Sequence, residues 1–146
     1  MNDILDGLKW MGRTVGGRAA DAVQALCELN QPLADRVAQR DSQVNQINDR
    51  IQEKTFQLLE AQSLSAADRA FLRASVFVSQ NLERIGDRAV GLAGQVRQLG
   101  GRPLPEGMQR LLLDSVPAIR DGISRSLSAC FRRRLADVRA AMLYED

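Results

Sequence analysis

Two acidic side chains one helical turn apart, Glu83 and Asp87, are the residues of this chain whose types and spacing best suit chemistry. Like charges at this spacing repel, and they cost an isolated helix roughly 0.2–0.5 kcal/mol. A helix tolerates the pair if a positive charge lies over it. That charge is either an arginine side chain or a metal cation.

Composition restricts the metal chemistry that such a pair could support. The chain has no histidine, and its two cysteines, Cys27 and Cys130, lie far apart and outside any CxxC pattern. Zinc fingers, histidine-based catalytic triads and haem ligation by histidine are therefore excluded, and a ferritin-like di-iron enzyme would need Glu-x-x-His pairs. A metal in this protein would be held by oxygen ligands, as hard cations and carboxylate-bound iron or manganese are.

The elements that must position these residues are predicted to be helices. The 146 residues suit one domain, and 45% hydrophobic with 26% charged residues predicts an ordinary core. Only 4% of residues are aromatic and four are proline, which favours an all-α protein. A net charge of +2 is too small to indicate a nucleic-acid partner. Unpaired cysteines, no signal peptide and no apolar run of ~20 residues predict a cytoplasmic protein without a membrane span.

Apolar spacing and capping residues predict three helices in the first 100 residues. The first runs over residues 2–29, the second from Pro32 to Gln62, and the third from Ala66 to Leu99. Asn30 suits the N-cap of the second helix, and Ser65 with Asp68 has capping-box spacing before the third. The third helix carries a heptad-like packing stripe, which indicates a bundle. The stripe is Phe71, Ser75, Val78, Leu82, Ile85, Ala89, Leu92, Val96 and Leu99.

The segment Gly-Gly-Arg-Pro-Leu-Pro at 100–105 is the clearest break in the chain. A fourth helix is predicted from Glu106 to Phe131, with a kink at Pro117. Three arginines at 132–134 follow it, and a last helix is predicted to contain Leu135, Val138 and Met142. A faint repeat links Cys27 and the following Leu-Ala-Asp to Cys130 and a second Leu-Ala-Asp. The chain is therefore predicted to hold an antiparallel three-helix bundle over residues 1–100 and the first part of a second repeat over 101–146.

In an antiparallel hairpin with its turn near Leu64, residues equally far from the turn lie at equal height. This places Asp41 level with Asp87, and Asn45 level with Glu83. The preceding turn, near Gln31, places Asp21 level with Asp41 by the same argument. Three carboxylates and an amide, or four carboxylates, could thus form one oxygen-rich patch that binds a metal. The alternative is that Arg40, Arg84 and Arg88 neutralise the acids on a solvated surface.

The segment Asn81-Leu82-Glu83-Arg84-Ile85-Gly86-Asp87-Arg88-Ala89 resembles the signature of the PhoU family of phosphate-uptake regulators, which commonly reads DLERIGDxA. Asp41-x-x-x-Asn45 lies where that family carries a second DxxxD/N motif. Asp68 matches the Asp of the family's DLR segment, although Arg69 and Ala70 depart from it. The stretch from Lys9 to Gly12 also resembles the family's first helix.

The resemblance implies a fold, partners and ligands. Family members commonly fold as two three-helix repeats, and some bind multinuclear iron or other metal clusters through their acidic motifs. By matching position, Glu83, Asp87, Asp41 and Asn45 would be ligands of iron, zinc or another divalent metal, and Asp21 joins them only through the height argument. The family implies no enzyme but an adaptor that represses phosphate uptake and signalling, with a phosphate ABC transporter and a sensor histidine kinase as partners.

The second set of motifs is missing, so the chain is expected to be either a truncated piece or a short member that completes its bundle as a homodimer. Three alternatives stand beside the regulator. One is a cytoplasmic regulatory domain of a sodium–phosphate cotransporter. Another is a metal-dependent enzyme that uses Glu83 or Asp87 as a base. The third is a helical dimerisation module that binds no metal.

Overall fold

The fold was analysed in a computed structural model that describes residues 1–39, 41–60 and 64–142. For Asp41 and for residues 132–142 it describes the backbone alone. The described residues form helices and no strand, which confirms the all-α class. The helices are α1 (Asn2–Glu28), α2 (Gln31–Gln39), α3 (Asp41–Leu59), α4 (Ala66–Leu99) and α5 (Glu106–Met142). Among them, none combines the length and apolar character that crossing a membrane requires.

The predicted caps define the helix ends. The Oδ1 atom of Asn30 accepts a hydrogen bond from the Leu33 amide at 3.0 Å, so Asn30 caps α2 as predicted. The Oγ atom of Ser65 accepts one from the Asp68 amide at 3.0 Å, which confirms the capping spacing before α4. At its other end α4 stops at Gly100, whose φ of 56° is the left-handed conformation that glycine adopts most readily.

The prediction of one helix from Pro32 to Gln62 agrees with the structure over residues 32–39 and 41–59, all of which are helical. Arg40, between α2 and α3, and residues 61–63 beyond α3 lie outside the described residues. The two helices belong to different apolar clusters. Leu33 and Val37 of α2 pack with the C-terminal halves of α1 and α4, whereas Val44 of α3 packs with their N-terminal halves.

The prediction of a break after Phe131 was wrong, because α5 continues from Glu106 to Met142 through Pro117 and the three arginines. The expected break rested on charge, and arginine is a strong helix former. The Leu-Ala-Asp that follows Cys27 lies beyond the boundary between α1 and α2. The Leu-Ala-Asp that follows Cys130 lies within α5, where no boundary of this kind occurs among the described residues. The side chains of Leu135, Val138 and Met142 lie outside the described part.

Helices α1 and α4 form the centre of the bundle, and each contacts every other helix. Helices α2, α3 and α5 each pack on both central helices. The close approach of α5 to α1 depends on Gly12, since a Cβ atom there would lie 2.4 Å from Cδ1 of Leu127. The stripe predicted on α4 is confirmed, because Leu82 and Ala89 are buried and Ile85 is half-buried.

Candidate functional site

The candidate site lies on the flank of α4 nearest α3. One residue of an α-helix corresponds to a rotation of 100°, so Glu83 and Asp87 share a flank on which Gly86 lies closest to the core. Glu83 is half-buried and Asp87 is exposed. An acid pair of this kind is accessible from solvent on one side and contacts the bundle on the other.

Contacts of Gly86 define which parts of α1 and α3 reach this flank. A Cβ atom at Gly86 would lie 3.8 Å from Cγ1 of Val44 on α3 and 3.5 Å from Cγ1 of Val15 on α1. Val44 and Gly86 are therefore level, which agrees with the height argument to within one helical turn. Asn45 follows Val44 directly, so its backbone lies at the height of the acid pair.

A positive charge from α1 reaches this flank. Arg18 is only 3% exposed, and its Nη1 atom would lie 3.8 Å from a Cβ atom at Gly86. A buried guanidinium needs charged or polar partners, and Arg18 has at least one interaction with another group. A buried positive charge from α1 therefore lies near Gly86, on the side of α4 that carries the acid pair.

Asp21 lies in a separate polar cleft between α1 and α2. This cleft has a volume of about 310 Å³, and Arg18 and Arg36 are the charged residues that line it with Asp21. Arg18 therefore belongs both to this cleft and to the surroundings of Gly86. Asp21 and Gly86 are thus connected through Arg18, which lies near both.

The donors available to a metal are oxygen atoms. The Oδ1 atom of Asn45 is buried and has no hydrogen-bond partner among the described residues, so it is an acceptor that a cation could satisfy. No group of three or more acidic or thiol side chains suitable for a metal occurs among the described residues. The side chain of Asp41, which would complete the predicted set, lies outside the described residues. The carboxylate and amide oxygens of the predicted ligands are the donor atoms that hard cations prefer.

Among the described residues, Arg84 and Arg88 lie on the flank of α4 opposite the acid pair. Within the described residues, neither arginine lies within 4.0 Å of a carboxylate oxygen, and both line a groove between α4 and α5 on the opposite flank. The third arginine of that alternative, Arg40, is outside the described residues. The two flanks of α4 therefore carry separate charges.

The two cysteines offer no activated nucleophile near this site. Both are free thiols, and burial raises the pKa of Cys130 above its usual value. Burial and the nearby charge of Glu28 raise the pKa of Cys27 as well. A raised pKa lowers the thiolate fraction at neutral pH, and the thiolate is the reactive form.

Arg18 was not among the residues predicted from the sequence, although its spacing carries a signal. Arg18 lies three residues after Val15 and four before Ala22, both of which are buried on α1. An arginine inside an inward-facing stripe indicates a buried charge with a partner on another helix. The lining of the α4–α5 groove had no comparable signal, because it depends on where α5 packs.

Comparison with known proteins gives a family for this arrangement. The model of the PhoU domain matches residues 8–96. A Pseudomonas putida protein named as a phosphate-specific transport system accessory protein PhoU homolog is 34% identical over 102 residues, which cover 68% of this chain and 39% of that protein. The homolog of the same name from Pseudomonas aeruginosa is also 34% identical over 102 residues and is covered to 41%.

A more distant relative from Streptococcus pneumoniae, with the same name, is 28% identical over 111 residues, which cover 76% of this chain and 51% of that protein. The chain thus spans about two fifths of the length of the Pseudomonas relatives. No solved structure matches the chain significantly.

Proposed function

The chain belongs to the PhoU domain family, and on this basis we propose that it regulates phosphate uptake and phosphate-starvation signalling by binding other proteins. The observation that carries the proposal is the family match over residues 8–96, which includes the whole acidic flank of α4. The relatives are named as accessory proteins of a phosphate-specific transport system. Both cysteine thiols have raised pKa values, which supports an adaptor rather than a thiol enzyme.

The proposed partners are a phosphate ABC transporter and the sensor histidine kinase that responds to phosphate starvation. In this proposal the protein acts in the cytoplasm and approaches the membrane only through these partners. The exposed Asp87 and the half-buried Glu83 form the surface through which we expect the regulatory contact to be made.

The proposal includes a divalent metal as a structural or sensing element. Iron, zinc or another divalent cation would be held by Glu83, Asp87 and Asn45, with Asp41 and Asp21 as the further predicted ligands. The buried Oδ1 atom of Asn45, which lacks a hydrogen-bond partner among the described residues, supports this assignment. Bound metal would supply positive charge opposite the acid pair, in addition to that of Arg18.

Metal binding is tested by elemental analysis of protein purified without chelator and without a metal-affinity column. We expect about one metal atom or more per chain, and its loss in the double variant Glu83→Gln, Asp87→Asn. The exposed pair Arg125→Gln, Asp121→Asn on α5 is a control that should keep the metal. Wild-type protein free of metal would contradict this part of the proposal.

A homodimer is proposed at the start of α5, where apolar side chains face solvent. Leu111 is 73% exposed, and Met108 and Leu113 are each 50% exposed. Arg110 and Asp114 are also exposed on this helix. A two-fold interface pairs one patch with itself, so each of these charges can meet the opposite charge of the partner. Light scattering should show a dimer that Leu111→Lys converts to a monomer; a wild-type monomer would contradict this.

The regulatory role is tested in a strain that lacks the gene and carries a reporter of the phosphate-starvation response. In phosphate-rich medium we expect the reporter to be active in the deletion strain and repressed again by the wild-type gene. The double variant Glu83→Ala, Asp87→Ala should fail to repress, at unchanged protein level. Unchanged reporter activity and phosphate uptake after deletion would contradict the proposed function.

A further inference from the structure

An apolar groove of about 700 Å³ runs between α4 and α5, on the flank opposite the acid pair. Its floor consists of aliphatic side chains, and Phe77 at its edge is 69% exposed. A continuous apolar patch that is exposed to solvent commonly marks an interaction site. The aliphatic lining is Val78, Leu82 and Ile85 on α4 and Ile119, Ile123 and Leu127 on α5.

The shape of the groove suits a helix. Helices α4 and α5 are joined by the short segment at residues 100–105, and two neighbouring helices leave a channel in which a third can pack. On the α5 side the lining residues at four-residue intervals are small, namely Ala118, Gly122 and Ser126, and all three are exposed. A Cβ atom at Gly122 would meet nothing within 4 Å, so a helix backbone can approach this wall closely.

The charge of the groove identifies the chemistry of its occupant. Arg84 and Arg88 are the charged residues in the lining, and no acidic residue lines it within the part of the chain that the structure describes. They lie one turn apart and are both exposed. An occupant that carries two carboxylates one turn apart along its edge would match them.

A second copy of this chain fits the groove poorly. In a two-fold dimer the same patch meets itself, so Arg84 and Arg88 would approach the same arginines of the other copy. Like charges brought together at an interface oppose association. The start of α5, which carries both Arg110 and Asp114, lies outside the groove lining and is free of this conflict.

We propose that the groove binds an amphipathic helix of another protein, with an apolar face against Phe77 and the aliphatic floor and an acidic edge against Arg84 and Arg88. This inference rests on the proposed adaptor function and deepens it by assigning a partner surface and the chemistry of the partner. It gives α4 two binding flanks, one acidic and one basic.

The test uses the full chain and a labelled helical peptide of 18 residues, with leucines on one face and glutamates one turn apart along one edge. A second peptide carries lysines in place of those glutamates. Fluorescence anisotropy should show saturable binding of the glutamate peptide and at least tenfold weaker binding of the lysine peptide. Wild-type protein that binds neither peptide, or both equally, would overturn the proposal.

Two variants locate the binding surface. Phe77→Asp should weaken binding of the glutamate peptide at least tenfold, whereas Phe56→Asp should change it less than twofold, because Phe56 is 56% exposed and lies outside the groove. With the charge reversal Arg84→Glu, Arg88→Glu, the protein should bind the lysine peptide more tightly than the glutamate peptide. This charge reversal alters exposed positions alone, so it remains informative if Phe77→Asp fails to fold. An unchanged preference would overturn the proposal.

Two further outcomes separate this inference from others. If light scattering shows a dimer that Phe77→Asp dissociates, the groove binds a second copy and the proposal of a foreign helix is wrong. If the gene represses the reporter while the glutamate peptide fails to bind, the groove proposal fails and the regulatory function stands. If the peptide binds as expected while deletion leaves the reporter unchanged, the groove stands and the regulatory function fails.

Discussion

Helix α4 has two flanks that differ in charge, in burial and in their neighbours. On one flank Glu83 and Asp87 lie beside Gly86, which is in contact range of α1 and α3 and of the buried Arg18. On the other flank Arg84 and Arg88 border an apolar groove that α5 only partly fills. Consecutive residues of one short motif therefore belong to opposite surfaces, because each step along a helix turns it by 100°.

A charged motif on a helix therefore need not be one site. The acidic flank has a cation within the protein, and burial makes that cation costly to remove. The basic flank has no acidic group in its lining among the described residues, so its charges remain available to a partner. The first flank is suited to ligand or metal binding and the second to a protein helix.

The largest expected effect comes from Leu82, which separates the two flanks and is buried at 4% exposure. Leu82→Ala should lower the free energy of unfolding by about 2–5 kcal/mol, since it removes apolar contacts and leaves a cavity. Urea unfolding followed by circular dichroism measures this change. Phe56→Ala, at a 56% exposed site outside both the groove and the proposed dimer surface, is the matched control and should stay within about 0.5 kcal/mol. Equal losses would mean that α4 is not the centre of the bundle.

Arginines on the two flanks should respond very differently to the same substitution. Arg18→Met removes a buried cation near the acidic flank and should lower the free energy of unfolding by about 2–3 kcal/mol, because the groups that interact with a buried charge are left without it. Arg84→Met, at an exposed position, should change it by less than about 0.5 kcal/mol. Thermal and urea unfolding measure both. A stable Arg18→Met variant would show that the acidic flank does not depend on this cation.

Two glycines test how closely the helices pack on the two sides of α1 and α4. Gly12→Val should destabilise the protein by about 1–3 kcal/mol, because a Cβ atom there would lie 2.4 Å from Leu127 on α5. Gly86→Ala should be neutral or stabilise by up to about 1 kcal/mol, since its nearest neighbour would be 3.5 Å away and alanine favours the helix. Both are measured by urea unfolding. The reverse order would contradict the packing of α5 described here.

The smallest effect on stability and the sharpest separation of roles are expected at Asp87 and Arg88. Both are exposed, so Asp87→Asn and Arg88→Gln should each change the free energy of unfolding by less than about 0.5 kcal/mol. Asp87→Asn should lower the metal content and leave binding of the glutamate peptide intact. Arg88→Gln should weaken binding of the glutamate peptide and leave the metal content unchanged. If both variants lose metal, or both lose binding of the glutamate peptide, the two flanks form one site.

The bounds of α4 could be predicted from the sequence because Ser65 and Gly100 act locally, through hydrogen bonds and backbone conformation at the helix ends. The groove between α4 and α5 could not, because its lining depends on where α5 packs. The break expected after Phe131 failed for a different reason. It was inferred from charge, which does not end a helix of arginine, leucine and alanine.

By itself, the sequence determined the helical class, the caps, the apolar stripe on α4 and the relative heights of α3 and α4, since these depend on local geometry and on regular helical rise. The tertiary structure alone decided that Arg18 reaches Gly86, that Asp21 lies in a cleft with Arg36, and that Arg84 and Arg88 face a groove along α5. These features depend on how far each helix is rotated about its own axis and on which neighbours it meets. Residues distant in sequence set that rotation through their packing, and no local pattern encodes it.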